Sequence, residues 1–180
     1  MILSLPQLTL REFQRRDWEA VHAYANDPEV VRYLWWGPNT ERDSRTFVQH
    51  AIGCQLDQTR REFDFAIVAN VDGTLVGACR VHIVSPEDHL GSIGYCLRRS
   101  AWGKGYATEA ARALLDFGFG ELGLHRIAAV CDPANLPSVR VLEKIGMKRE
   151  GHLRQHRWLK GHWRDSLLYA VLAPEHPRAS

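Results

Sequence analysis

With 180 residues, 45% of them hydrophobic and 24% charged, the chain has the make-up of one ordinary globular domain, long enough to bury a sizeable core. A net charge of +2 argues neither for nor against an anionic partner. No apolar run approaches the length of a membrane span and the N-terminus reads as lacking a secretory h-region, so neither a membrane protein nor a membrane partner is expected. Cys54, Cys79, Cys96 and Cys131 lie far apart with no C-x-x-C pair, as reduced thiols of a cytoplasmic protein would.

Residues 8–13 alternate in polarity and predict a first strand. Asp17 is placed to N-cap a helix carrying Trp18, Val21, His22 and Ala25. Residues 29–34 read as a short helical turn, broken by Trp35-Trp36-Gly37-Pro38, whose tryptophans either wall a loop or pad the core. Thr40 and Asp43 have capping-box spacing and open a helix with Phe47, Ala51 and Cys54 along one face. Residues 63–69 and 74–83 are strand runs, and Asp72-Gly73 between them predicts a tight hairpin with positive φ at both turn positions. After Pro86-Glu87-Asp88, a strand over 92–97 leads into a glycine-bearing loop and a long helix. Then come a strand over 126–131, a helix over 135–145 closed by Gly146, and strands over 147–155 and 165–172. Lys160-Gly161-His162 reads as the turn between the last two. Residues 1–173 thus form one domain and 174–180 a frayed tail. This mixed order predicts an α+β domain of three layers around a central, partly parallel sheet.

The chain is organised around residues 94–110: a strand, a loop holding Gly103 and Gly105, and the first turn of a helix with a stripe of Ala111, Leu114, Leu115 and Gly118. A helix start exposes unpaired N–H groups and partial positive charge, so a diphosphate can rest there with Lys104 close by. On local grounds the same glycines could serve only as a tight connector. Neither G-x-G-x-x-G nor Gly-Lys-Ser/Thr occurs.

Trp102-Gly103-Lys104-Gly105-Tyr106-Ala107 resembles the acyl-CoA pyrophosphate loop of the GNAT N-acetyltransferase superfamily, R/Q-x-x-G-x-G/A, with Gly105 and Ala107 in the last two defined positions and Trp102 in place of Arg or Gln. Thr108-Glu109-Ala110, Asn135-x-x-Ser138, Val141-Leu142-Glu143-Lys144-x-Gly146, Glu150-Gly151 and Trp163-Arg164-Asp165 extend the likeness over nearly the whole chain, toward the RimJ/RimL branch that acetylates ribosomal-protein N-termini. The resemblance implies a mixed, largely antiparallel sheet with one splayed parallel pair, and acetyl-CoA as co-substrate without a metal. It implies that the backbone of Tyr95, Cys96 and Leu97 pairs with the pantetheine arm and that Gly103, Lys104, Gly105, Tyr106, Ala107 and Thr108 hold the pyrophosphate. Asn135 would hydrogen-bond the pantetheine amides, or simply cap its helix, and Ser138 would protonate the leaving thiolate.

A departure stands at the general base. RimL-type enzymes carry a carboxylate where direct register from Ser138 puts Arg157, and Asp64, His82, Glu87, Asp88 and His156 are all open substitutes. An α-amine of pKa about 7.8 is roughly 10–15% neutral at pH 7 and a lysine roughly 0.04%, so an α-amine starts about 3 kcal/mol nearer the reactive form and depends less on a base. The expected acceptor is therefore a primary amine, a protein N-terminus first and a small amine second. Cys96 and Cys131 have no visible partner base, so no acyl-enzyme is expected. His152, His156 and His162 read as surface histidines, and no G-x-S-x-G supports a hydrolase. The basic run Arg149, Arg154, Arg157, Lys160, Arg164 with Trp158 and Trp163 reads as a solvated hairpin, so nucleic acid is not expected beyond proximity to a ribosome. Acceptor specificity falls to the Trp35-Trp36 loop, residues 86–89 and the 160–162 turn. A homodimer is left open, as is a CoA-binding sensor that has lost catalysis.

Overall fold

In the computed structural model, which describes residues 1–177, eight strands form one sheet in the order β1-β2-β3-β4-β5-β6-β8-β7. The strands are β1 (Ile2–Ser4), β2 (Leu8–Glu12), β3 (Glu62–Ala69), β4 (Leu75–Ser85), β5 (Leu90–Leu97), β6 (Arg126–Cys131), β7 (Lys148–Leu159) and β8 (His162–Leu172). Four helices flank them: α1 (Trp18–Ala25), α2 (Glu41–Leu56), α3 (Tyr106–Gly120) and α4 (Leu136–Lys144). Every neighbouring pair is antiparallel except β5–β6. The three-layer α+β arrangement expected from the order of elements is the one found.

Alternation along the strands sorts side chains to two faces. Phe63, Phe65 and Ile67 of β3 join Val81, Ile93, Ile127 and the Leu114–Leu115 stripe of α3 in one core, which α4 completes with Leu142. Phe117 meets Phe63 and Phe65 edge-on at 5.4 and 5.5 Å. Ala66 on the other face lies under Val21 and Tyr24 of α1 and Val48 and Ala51 of α2. The sheet is thus clad by α3 and α4 on one side and by α1 and α2 on the other, and α1 and α2 leave the β6–β8–β7 flank open on theirs, where Val130 is exposed.

Local chemistry departs from the sequence pattern in several places. Residues 29–34 make single turns that do not extend into a helix, Val30 and Val31 turning inward to the second core and Gly37 closing the loop at φ +74°. Asp17 precedes α1 without capping it; its carboxylate accepts from Arg11 at 2.7 and 2.9 Å and from the Gln14 amide at 2.7 Å. Thr40 and Asp43 do form the reciprocal capping box. At the β3–β4 turn only Gly73 has positive φ, since Asp72 accepts from the Thr74 amide instead. The turn with two positive-φ residues is Lys160-Gly161, at +49° and +87°. β7 runs on to Leu159 through an irregularity at Gln155, where a charged stretch had masked the alternation. The tail expected to fray is held as far as His176, whose ring meets Asp116 at 2.6 Å and stacks near Phe119, while Glu175 pairs with Lys148; residues 178–180 lie outside the described residues.

Candidate active site

β5 and β6 pair over only three residues, Leu90–Ser92 against Arg126–Ala128. Beyond Ser92 the strands diverge, although both continue, to Leu97 and Cys131. Gly94 to Leu97 stay bound to β4 on one side, opposite Arg80, Cys79, Ala78 and Gly77, and present open backbone to the gap on the other. Gly77 makes that pairing tight: a Cβ there would lie 2.2 Å from the Cys96 carbonyl oxygen. An extended chain bearing amides can enter the gap as an added strand, taking hydrogen bonds that the sheet has left unmade. This is the place assigned to Tyr95, Cys96 and Leu97.

The β5–α3 connection carries the second half of the cradle. Gly103 and Gly105 sit at φ +76° and +83°, and added Cβ atoms would meet nothing within 4 Å. Backbone conformation, not crowding, therefore demands glycine here. Gly105 is the N-cap of α3 and no side chain caps the helix, so its first amides point into open space. Gly103, Lys104 and Gly105 are exposed, while Tyr106 is buried and anchors the helix start. Ala107 and Thr108 are partly exposed in the first turn. Trp102 has a use that the sequence did not disclose: its indole N–H donates to the Leu97 carbonyl at 2.8 Å and pins the loop to the end of β5. These groups fit a linear ligand with an amide-bearing arm and an anionic diphosphate.

Across the gap, the Tyr95 hydroxyl lies 3.0 Å from Ser138 Oγ and donates to the Ser138 carbonyl at 3.3 Å. Only the Tyr95 backbone had been assigned a role; the side-chain contact joins residues 43 apart and has no local signal. Burial pushes the Tyr95 phenol well above its usual range, so it stays protonated and can serve as donor. Asn135 caps α4, its side-chain oxygen accepting from the Ser138 amide at 3.3 Å. That leaves the Asn135 amide nitrogen as the group free to face the cleft. Burial also lifts Cys96 to about 12 and Cys131 to about 11, so neither offers a thiolate at neutral pH.

The far wall comes from the α1–α2 loop and the β7–β8 hairpin. Lys160 Nζ donates to the Val31 carbonyl at 2.5 Å and joins the two. Arg164 donates through Nε to Asp132 at 2.8 Å, lies 3.1 Å from His162 Nε2 and stands 5.7 Å from the Tyr33 ring. His156 approaches Ser166 Oγ at 3.0 Å. Of the substitute bases, Glu87 and Asp88 lie in the β4–β5 turn, at the end of β5 opposite Leu97, and His82 sits level with Ser92. Asp64 shares a row with Arg80 and Gly94, and burial raises its pKa despite Arg80. His50, Cys54 and Glu62 bring three possible metal-ligating atoms within 4.8 Å of one another on α2 and β3, away from the gap, with Arg80 already 3.6 Å from Glu62. Two concavities of about 360 and 660 Å³ lie beside Gln7 and Tyr106 and between Arg15, Arg16 and α2; the second has no group of the gap in its walls.

A family model described as an acetyltransferase (GNAT) domain matches residues 7–148. The chain is 37% identical to the uncharacterized N-acetyltransferase YnaD of Bacillus subtilis, over 97% of its own length and 99% of that protein. It is 26% identical to the spermidine N(1)-acetyltransferase of Escherichia coli, over 93% and 87% of the two chains. Among solved structures, RimJ of Mycobacterium smegmatis in complex with CoA-disulfide superposes with a TM-score of 0.85 at 28% identity, covering 99% of this chain and 89% of that one.

Proposed function

The chain belongs to the GNAT acetyltransferase family and is an acetyl-CoA-dependent enzyme; from that premise we propose that it acetylates an α-amine by direct attack in a ternary complex. The observation that carries the reading is the three-residue β5–β6 ladder opening beside an uncapped α3 N-terminus. The pantetheine arm pairs with Tyr95 to Leu97 and the diphosphate rests on the amides of Gly103 to Thr108. A backbone N–H of β5 polarises the thioester carbonyl, and the neutral amine attacks its carbon. As the C–S bond breaks, Ser138 gives its hydroxyl proton to the thiolate and Tyr95 shares the charge left on Ser138. The two thiols, both held protonated at neutral pH, favour one step over an acyl-enzyme. A RimJ/RimL-type role toward a protein N-terminus and cytoplasmic residence are part of the same reading.

The test is release of free CoA thiol from acetyl-CoA with N-terminal peptides and small amines between pH 6 and 9. Without a dedicated base, kcat/KM for an α-amine rises about tenfold per pH unit and levels near its pKa of about 7.8, whereas a lysine amine keeps rising. Ser138→Ala lowers kcat about 10- to 100-fold with acetyl-CoA affinity kept. A pH profile identical for both amines, or full turnover in Ser138→Ala, overturns the corresponding role. Acetyl-CoA binding with no turnover on any amine would favour the sensor.

A further inference from the structure

The ion pairs around the far wall do not balance. Asp132 is matched by Arg164, Asp27 by Arg99 at 3.7 Å, Glu29 by Arg32 at 3.9 Å, and on the hairpin itself Asp165 meets the His152 ring at 2.6 Å. Arg157 has no counterpart. It stands directly opposite Arg164 in the β7–β8 register and is exposed, and its guanidinium has neither an ion pair nor a hydrogen bond among the described residues.

Like charges directly opposite on paired strands destabilise a sheet. Cross-strand partners also share a face, so Arg157 lies on the face from which Arg164 reaches Asp132 and the Tyr33 ring. Lys160 adds a second cation that is met only by the neutral Val31 carbonyl. Arg164 is fixed by Asp132 and His162, whereas the fork of Arg157 remains available for a planar, bidentate partner.

We propose that Arg157, beside the fixed Arg164, is a carboxylate-binding subsite of the acceptor wall, so that the acceptor is an amine that also carries a carboxylate and not a polyamine. This rests on the transferase reading for the position of the acceptor, and the carboxylate can come from a free amino acid or from an acidic residue near a peptide N-terminus. A polyamine would bring several positive charges to a wall where Arg157 and Lys160 already lack an anionic partner, while Asp132 is taken by Arg164.

The experiment measures binding to the CoA-loaded protein by calorimetry at pH 7 and low salt. Two matched pairs differ by one carboxylate: glycine against glycinamide, and Ala-Asp-amide against Ala-Asn-amide, with spermidine as the polycation. In at least one pair the acid binds ten or more times more tightly than its amide, spermidine binds more weakly still, and the preference shrinks as salt is added. The pair that shows it identifies the source of the carboxylate. Arg157→Gln abolishes the preference without lowering the thermal midpoint, and Arg157→Lys restores part of it. Acids and amides binding alike in both pairs, no binding at all, spermidine binding most tightly, or a preference that survives Arg157→Gln each overturn the proposal. Thiol release is followed with the same ligands on protein supplied with acetyl-CoA in place of CoA. Carboxylate-selective binding without release would sink the transferase reading and leave the subsite standing.

Discussion

The two walls of the cleft are built in opposite ways. The α3 wall is made of backbone: open amides on β5, positive-φ glycines and an uncapped helix start, all between Gly94 and Thr108. The far wall is made of side chains brought from distant parts of the chain, such as Lys160 on Val31 across 129 residues and Arg164 on Asp132 across 32. A ligand gripped by backbone constrains few side-chain identities beyond glycine, so that wall keeps one partner while the sequence varies. A wall of charged side chains on two loops changes its partner with a handful of substitutions.

The comparison breaks most visibly at Gly105. Gly105→Glu forces a side chain into left-handed backbone and sets a carboxylate where the diphosphate is proposed to rest, and acetyl-CoA affinity drops at least about 100-fold by calorimetry, equivalent to about 2.7 kcal/mol. Acceptor binding changes little, and an unaltered affinity for acetyl-CoA would refute the cradle. Next in size is Asp17→Asn, beneath α1. The Asp17 carboxyl, although burial alone would raise it, is held below its usual range by hydrogen bonds from Arg11 and the Gln14 amide. A depressed folded-state pKa gives stability that is present above the unfolded value of about 3.9 and is lost as pH falls through the folded one. Asp17→Asn therefore costs about 2 kcal/mol in urea unfolding at pH 7, and the gap from wild type closes below about pH 4. A gap that is constant with pH would show that packing, not charge, is responsible. The smallest effect is expected of Lys160→Met, which cuts the tie between hairpin and loop. The acceptor KM rises about tenfold while the acetyl-CoA KM stays within twofold, and amide exchange quickens over residues 26–40. Equal changes in both constants would mean that the walls are mechanically one unit.

How much of this could be read from the sequence follows the same division. The α3 stripe, the Thr40–Asp43 box and the glycine pair are local signals, and all appear in the structure where spacing put them. Asn135 caps α4, a reading that its position allowed alongside that of a partner to the pantetheine amides. The Tyr95–Ser138 contact, the Lys160–Val31 tie and the opposition of Arg157 to Arg164 depend on strand order and register, which no window of the sequence contains. Residues 29–34, read as a short helical turn, keep single turns, with the Val31 amide on the Asp27 carbonyl, while Val30 and Val31 are buried against α1 and α2. At Asp72-Gly73 an aspartate hydrogen bond to the Thr74 amide outweighed the dipeptide's usual turn.

The early end of the β5–β6 ladder has a consequence for the strand edge that it leaves unpaired. A sheet normally has two rims, and unpaired rims recruit strands from other molecules. This one has a third, internal rim along Gly94 to Leu97, where polar backbone lacks a neighbour in the midst of the sheet. A second folded copy cannot reach it, because β6 borders it in the sheet, Tyr95 bridges it to α4 and the α3 loop lies at its end. What remains is an edge flanked on both sides by its own sheet, which turns an aggregation hazard into a filter for ligand shape.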